Sequence, residues 1–171
     1  MTTNGEIMAF WLRPAQEERE YFAALIRRLA TRFDAPRFEP HVTLYAGAME
    51  EAHAAEVVRG LAALSTLTLE VEGVACAEEY TKTLFVQFRA SDEAARLSAE
   101  IAEAANREAG YRFDPHLSLI YQPMARAGRE ELRRTIEVPF TSVRFDAVEA
   151  IVSPARVTKR AEVEAWRVIR L

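Results

Sequence analysis

The chain has 171 residues, half of them hydrophobic and 28% charged, with a net charge of −4. That composition suits one globular domain, or two small fused lobes, with a sizeable core. A lone cysteine, Cys76, excludes an internal disulfide and a cysteine-based metal cluster. The acidic balance weighs against a non-specific grip on long nucleic acid and points to a small substrate or a short terminus.

The first fourteen residues show no basic start followed by a long apolar run, and no 18-residue apolar span follows. The expected compartment is therefore the cytoplasm, with no membrane partner. IMAFW (7–11) predicts a strand. Pro14 is expected to open a helix, where its missing N–H costs nothing. Tyr21, Phe22, Leu25, Ile26, Leu29 and Phe33 form that helix's apolar stripe. HVTLY (41–45) predicts a strand, and a helix follows over about Glu51 to Leu64. LTLEV (67–71) and GVACA (73–77) read as two strands meeting near Gly73.

The second half replays this order. LFVQF (84–88) predicts a strand, and Ser91 caps a helix running to about Ala109 and stopping at Gly110. HLSLIY (116–121) is a strand, followed by a helix near Arg129 to Ile136. Residues 140–152 and 166–171 read as strands. Pro154 to Glu162 reads as an exposed basic loop, with Arg156, Lys159 and Arg160 solvated or at a substrate rim. The chain is expected to be one domain, 1–171, built from two pseudo-symmetric lobes of about 1–78 and 79–171. Facing each other, they would make a central cleft.

The repetition is sharpest in RFEPHVTLY (37–45) and RFDPHLSLIY (112–121). Two of the three histidines, His41 and His116, fall one per copy, 75 positions apart. Strand alternation puts His41 with Thr43 and His116 with Ser118, and sends Val42, Leu44, Leu117 and Leu119 to the opposite face. Packing needs only the aliphatics, so the histidines and hydroxyls are left for a cleft. A neutral imidazole takes a proton from water, and an imidazolium across the cleft gives one to a leaving oxygen. Thr43 and Ser118 can hold non-bridging phosphate oxygens. Such a pair suits attack on a phosphodiester and needs neither metal nor cofactor.

HVTL and HLSL resemble the paired His-x-Thr/Ser-x motifs of the 2H phosphoesterase superfamily. The chain is most similar to its plant- and yeast-type cyclic phosphodiesterases, which open 2′,3′-cyclic nucleotides and ADP-ribose 1″,2″-cyclic phosphate. The likeness spans nearly the whole chain, including Trp11 with Pro14, Pro36 to Thr43, Pro115 to Tyr121, and Trp166. It implies an α+β fold, bilobal and duplicated, with two antiparallel sheets lining a central cleft and helices outside. It also implies His41 and His116 as the catalytic pair, Thr43 and Ser118 as phosphate binders, and a 2′-phosphate product. The pseudo-symmetry leaves open which histidine is the base.

Glu39 and Asp114 depart from the apolar residues plant relatives tend to carry; near a cleft such acids could raise the histidine pKa values or orient the rings, but a loop salt bridge to Arg37 or Arg112 is the favoured expectation. Tyr121 matches a substrate-contacting position of the family. Strict alternation would instead face Ile120 into the cleft, so Tyr121 needs the strand to end or bulge there. Tyr45 shares the parity of His41 and is an equal candidate. Trp11 and Tyr80 could stack on a base, although core or rim packing is their commoner use. Lys82 could hold phosphate or simply sit in a solvated turn. His53 is expected to be exposed on a helix. The leading reading is a monomeric hydrolase of a small cyclic phosphate nucleotide. Its rivals are an RNA-end phosphodiesterase or 2′-5′ RNA ligase of the same superfamily, acting on RNA termini, and a non-catalytic nucleotide-binding module.

Overall fold

A computed structural model describes residues 5–62, 65–106 and 111–171. Strand β1 (Glu6–Pro14) runs three residues beyond the expected segment and ends on Pro14. The helix is delayed because Ala15 N–H still donates to the Arg144 carbonyl (2.8 Å), which prolongs the sheet. Helix α1 (Gln16–Phe33) then buries Phe22, Leu25, Ile26 and Leu29. Glu18, also buried, accepts from Arg144 Nε at 2.8 Å and ties α1 to the sheet.

Strand β2 (Val42–Gly47) and helix α2 (Glu51–Gly60) follow. His53 is half-exposed and bonds the Ala104 carbonyl. The two expected strands after α2 are one, β3 (Leu67–Ala75), with a bulge between Val71 and Gly73. Gly73 has φ +149°, a conformation open to glycine. A short 3₁₀ turn (Tyr80–Lys82) leads to β4 (Leu84–Phe88). Ser91 Oγ accepts from Ala94 N–H to cap α3 (Asp92–Ala104). The expected helix ends at Leu64, Ala109 and Gly110 lie outside the described residues. Then come β5 (His116–Ile120), α4 (Arg126–Thr135) and β6 (Ser142–Pro154). The expected basic loop contains the start of α5 (Arg160–Glu164), and β7 (Arg167–Val168) closes the chain.

The α+β architecture is as expected, but the strands form one antiparallel sheet rather than two, in the order β1-β2-β5-β4-β3-β6-β7. Pairing of β1 with β6 closes six of them into a circuit. The two sequence halves exchange their last long strands: β3 pairs with β4, and β6 pairs with β1. That exchange, with the β2–β5 pair, joins the halves into one sheet.

Two bulges occupy equivalent places in the halves. Trp11 pairs with Thr43 and Phe10 with Tyr45, leaving Leu44 without a β1 partner. Phe85 pairs with Ser118 and Leu84 with Ile120, leaving Leu119 without a β4 partner. An unpaired residue inverts the alternation beyond it. Tyr45 and Ile120 are therefore turned into the core, each 1% exposed. Ala46 and Tyr121 turn to the other face. The expectation that Tyr45 faces the cleft is thus corrected, and the structural equivalent of Tyr121 is Ala46, not Tyr45.

Tyr45 packs against Phe10 and Tyr111. Among the described residues, its buried hydroxyl has no hydrogen-bond partner. A buried unsatisfied hydroxyl is costly, so Tyr45→Phe is expected to keep or raise the unfolding free energy, by up to about 1 kcal/mol in urea titrations. A loss of more than that would place a hydrogen bond on this hydroxyl and contradict the assignment.

Candidate functional site

Strands β2 and β5 meet through one registered pair, Val42 opposite Leu117, both fully buried. Continuing the antiparallel register by one residue each way sets His41 opposite Ser118 and Thr43 opposite His116. All four fall on the face away from the core. They form a square with the histidines on one diagonal. Such diagonal positions lie roughly 7–8 Å apart, room for one tetrahedral group between two rings. The four residues line a cleft of about 300 Å³, at the small end for ligand sites.

Both rings are held alike. His41 Nδ1 donates to the Glu39 carbonyl at 2.7 Å, and His116 Nδ1 donates to the Asp114 carbonyl at 2.8 Å. A carbonyl can only accept, so each Nδ1 bears the hydrogen and each Nε2 is left to exchange protons. The proline in each copy lies between the acid and the histidine, where it restricts the acid to extended backbone.

The rings differ in their surroundings. Trp11 lies flat on His41, centroids 3.7 Å apart and planes 9° apart. Phe85, at the equivalent place in the sheet, meets His116 edge-on at 5.5 Å. Burial pushes His41 down to about 3; the Glu39 carbonyl opposes this, while Arg13 and His116 add to it. Burial also lowers His116, and Lys82 adds to that lowering. The Asp114 carbonyl and the Asp114 and Glu79 carboxylates act in the opposite sense.

The two acids have partners other than those expected. Glu39 accepts from buried Arg13 at 2.9 Å, and Arg13 also reaches Glu149 at 3.5 Å. Asp114 accepts from Lys82 at 2.8 Å and from Gln87 Nε2 at 3.1 Å. Arg37 and Arg112 take neither place, because the neighbouring strands and the 3₁₀ turn present closer donors. Lys82 therefore sits on Asp114 and over the Phe85 ring, 4.7 Å from its centroid, outside the cleft lining.

Trp11 lines the cleft but spends its face on His41. Tyr80 packs against Tyr121 and is not among the cleft-lining residues. Tyr121 reaches the cleft through the β5 bulge, stacked on Phe38 at 4.0 Å, and burial raises its phenol well above the usual value. Ser118 Oγ donates to the Thr81 carbonyl at 2.6 Å. Sequence reading missed the roles of Thr81, Tyr111, Phe38, Arg13 and Gln87. The last could have been found: a 74-position offset maps Trp11 onto Phe85 and Arg13 onto Gln87. Trp166, noted before only for its family likeness, closes one wall with its indole bonded to Ser153 Oγ.

Among the described residues, no group of three or more His, Cys, Asp or Glu side chains could hold a metal ion. Among them, too, no helix is long and apolar enough to cross a membrane.

A family model described as the 2′-5′ RNA ligase superfamily matches residues 13–155. A cyclic phosphodiesterase of Arabidopsis thaliana is 26% identical over 138 residues, covering 80% of this chain and 75% of that protein. Among solved structures, E. coli LigT in apo form superposes with a TM-score of 0.58 at 14% identity, covering 99% of this chain and 96% of that one. LigT complexed with 3′-AMP gives 0.56, also at 14% identity, covering 98% and 96%. At such identity these two show a shared fold. The matched span holds both His-x-Thr/Ser motifs, and the chain belongs to the 2′-5′ RNA ligase superfamily, the 2H phosphoesterases.

Proposed function

We propose that the protein is a metal-independent cyclic phosphodiesterase, opening a small 2′,3′- or 1″,2″-cyclic phosphate nucleotide to a phosphomonoester. The observation that carries this is the square of His41, Thr43, His116 and Ser118 around one small cleft. Likeness to the Arabidopsis cyclic phosphodiesterase supports the substrate class.

The different surroundings divide the labour. His41, buried and kept neutral, is the base: Nε2 takes a proton from water as the water oxygen bonds phosphorus. His116, flanked by carboxylates, is the acid: Nε2–H gives its proton to the ribose oxygen as the P–O bond breaks. Thr43 donates to a non-bridging oxygen. The Ser118 hydroxyl turns from Thr81 to do the same, so part of the phosphate-binding energy replaces an existing hydrogen bond. Trp11 keeps the His41 ring in plane, and Tyr121 borders the leaving nucleoside.

The small-substrate reading is favoured over RNA termini by the cleft's electrostatics. Among the described residues lining it, none is lysine or arginine. An RNA-end enzyme needs cations along the backbone track beyond the reacting phosphate.

Purified protein is expected to turn over 2′,3′-cyclic nucleotides in EDTA, and His41→Ala and His116→Ala are each expected to lose about 10²–10⁴-fold in kcat. Absent parent turnover, or variants that retain it, would sink the reading. The pH dependence of kcat/KM reports the free enzyme. His41 is neutral above its lowered pKa, and His116 loses its proton as pH rises through its own. The rate should therefore fall from mildly acid pH upward, with the basic limb below the ordinary histidine value of ~6.5. Residual activity of His116→Ala should lack that limb. An optimum above neutrality would overturn the lowered histidine values on which the assignment stands, and a limb that disappears only in His41→Ala would reverse the two roles.

A further inference from the structure

The sheet places Arg13 and Gln87 at equivalent points. Each lies two residues past the aromatic that touches a histidine, Trp11 or Phe85, and each reaches the acid two residues before that histidine. Arg13 bonds Glu39 and Gln87 bonds Asp114. Each acid's own carbonyl holds the imidazole Nδ1–H. The side chain of the acid therefore anchors the peptide that orients the ring, once in each half.

The second copy breaks the symmetry in charge. Arg13 is cationic and takes the Glu39 carboxylate to itself. Gln87 is neutral, and the cation comes instead from Lys82 on the 3₁₀ turn. The Asp114 carboxylate then stands with Oδ2 only 3.8 Å from His116 Nδ1, between the ring and the ammonium. Glu39 has no such contact with His41 among the described residues.

We propose that Asp114 is a positioning residue for His116, orienting the ring and favouring its protonated form for the leaving-oxygen step, and that Arg13 withholds Glu39 from the same work at His41. This rests on the two-histidine reading above. The charged and titratable groups facing His116 are Asp114 beside it, Lys82 from the 3₁₀ turn, Glu79 just before that turn, and His41 from the β2 side. Asp114 and Glu79 favour the imidazolium and Lys82 opposes it, while His41, held neutral, adds no charge of its own. Replacing Asp114 by Asn removes one favourable charge and frees the Lys82 charge, so both changes act in the same direction.

The test is Asp114→Asn beside Asp114→Glu and Glu39→Gln, all in the full chain. Ring titration of both histidines by NMR without substrate is the first readout and does not depend on turnover. His116 is expected to titrate lower in Asp114→Asn and near the parent in Asp114→Glu. It should be unmoved in Glu39→Gln, and retained His41 signals would report an intact fold. The second readout is kinetic. Asp114→Asn should lose about tenfold in kcat at neutral pH with little change in KM, and its basic limb should move to lower pH. An unmoved His116 titration in Asp114→Asn, or an equal effect of Glu39→Gln, overturns the proposal. Absence of any turnover, with the expected titration, overturns the cyclic phosphodiesterase reading and leaves this one standing.

Discussion

One registered pair, Val42 opposite Leu117, governs the site. Both side chains are fully buried, so slipping either strand by one residue would put an imidazole into the core and an aliphatic into the cleft. The same core that stabilises the molecule therefore enforces the square of two histidines and two hydroxyls. The bulges at Leu44 and Leu119 then release the strands from that alternation directly after Thr43 and Ser118. Each bulge supplies a second consecutive core residue, Tyr45 or Ile120. Each also returns the next position, Ala46 or Tyr121, to the cleft. One half presents a methyl and the other a phenol, so the cleft is lopsided although its framework is doubled.

That lopsidedness extends to the electrostatics. A symmetrical pair of imidazoles in one small space would compete for one proton, because each charged ring disfavours the other. Acid–base chemistry across a phosphate needs the opposite, two rings with unequal proton affinity. The surroundings of the two rings differ by substitutions on one scaffold, and under the proposed mechanism that difference would serve this need. Tryptophan lies flat over His41 where phenylalanine meets His116 by its edge. Arginine stands behind Glu39 where glutamine stands behind Asp114.

Much of this was legible in the sequence because it rests on local pattern. The order of strands and helices follows apolar periodicity, and the four site residues follow from repetition and parity. Ser91 announced its cap by type and place. What escaped were features set by non-local pairing. Pro14 reads as a helix opener from its ring alone, yet the Ala15–Arg144 bond keeps the chain extended past it. One continuous sheet required knowing that β3 and β6 change halves. The two tyrosines looked equivalent because each ends its repeated stretch. Their 75-position offset actually aligns Tyr45 with Ile120, and the bulges act on that alignment. Glu39 and Asp114 were given the arginines nearest in sequence, whereas their partners come from adjoining structure.

The bookkeeping of charge around the cleft bears on what it can hold. Arg13 lies between two carboxylates, and Lys82 is committed to Asp114. The cations nearest the histidines thus hold the walls in place and leave the interior to neutral donors and the imidazoles themselves. A site of that kind suits a phosphodiester carrying one negative charge. It is expected to bind less readily a phosphomonoester with nearly two, since among the described lining residues no lysine or arginine offsets the second. In the proposed reaction the substrate is the first and the product the second. Ring opening raises the charge inside a cleft poor in cations, and the new charge sits beside His116 after that ring has given up its proton. If the proposed reaction is the one catalysed, the same lack of cations that suits the substrate would also weaken the hold on product.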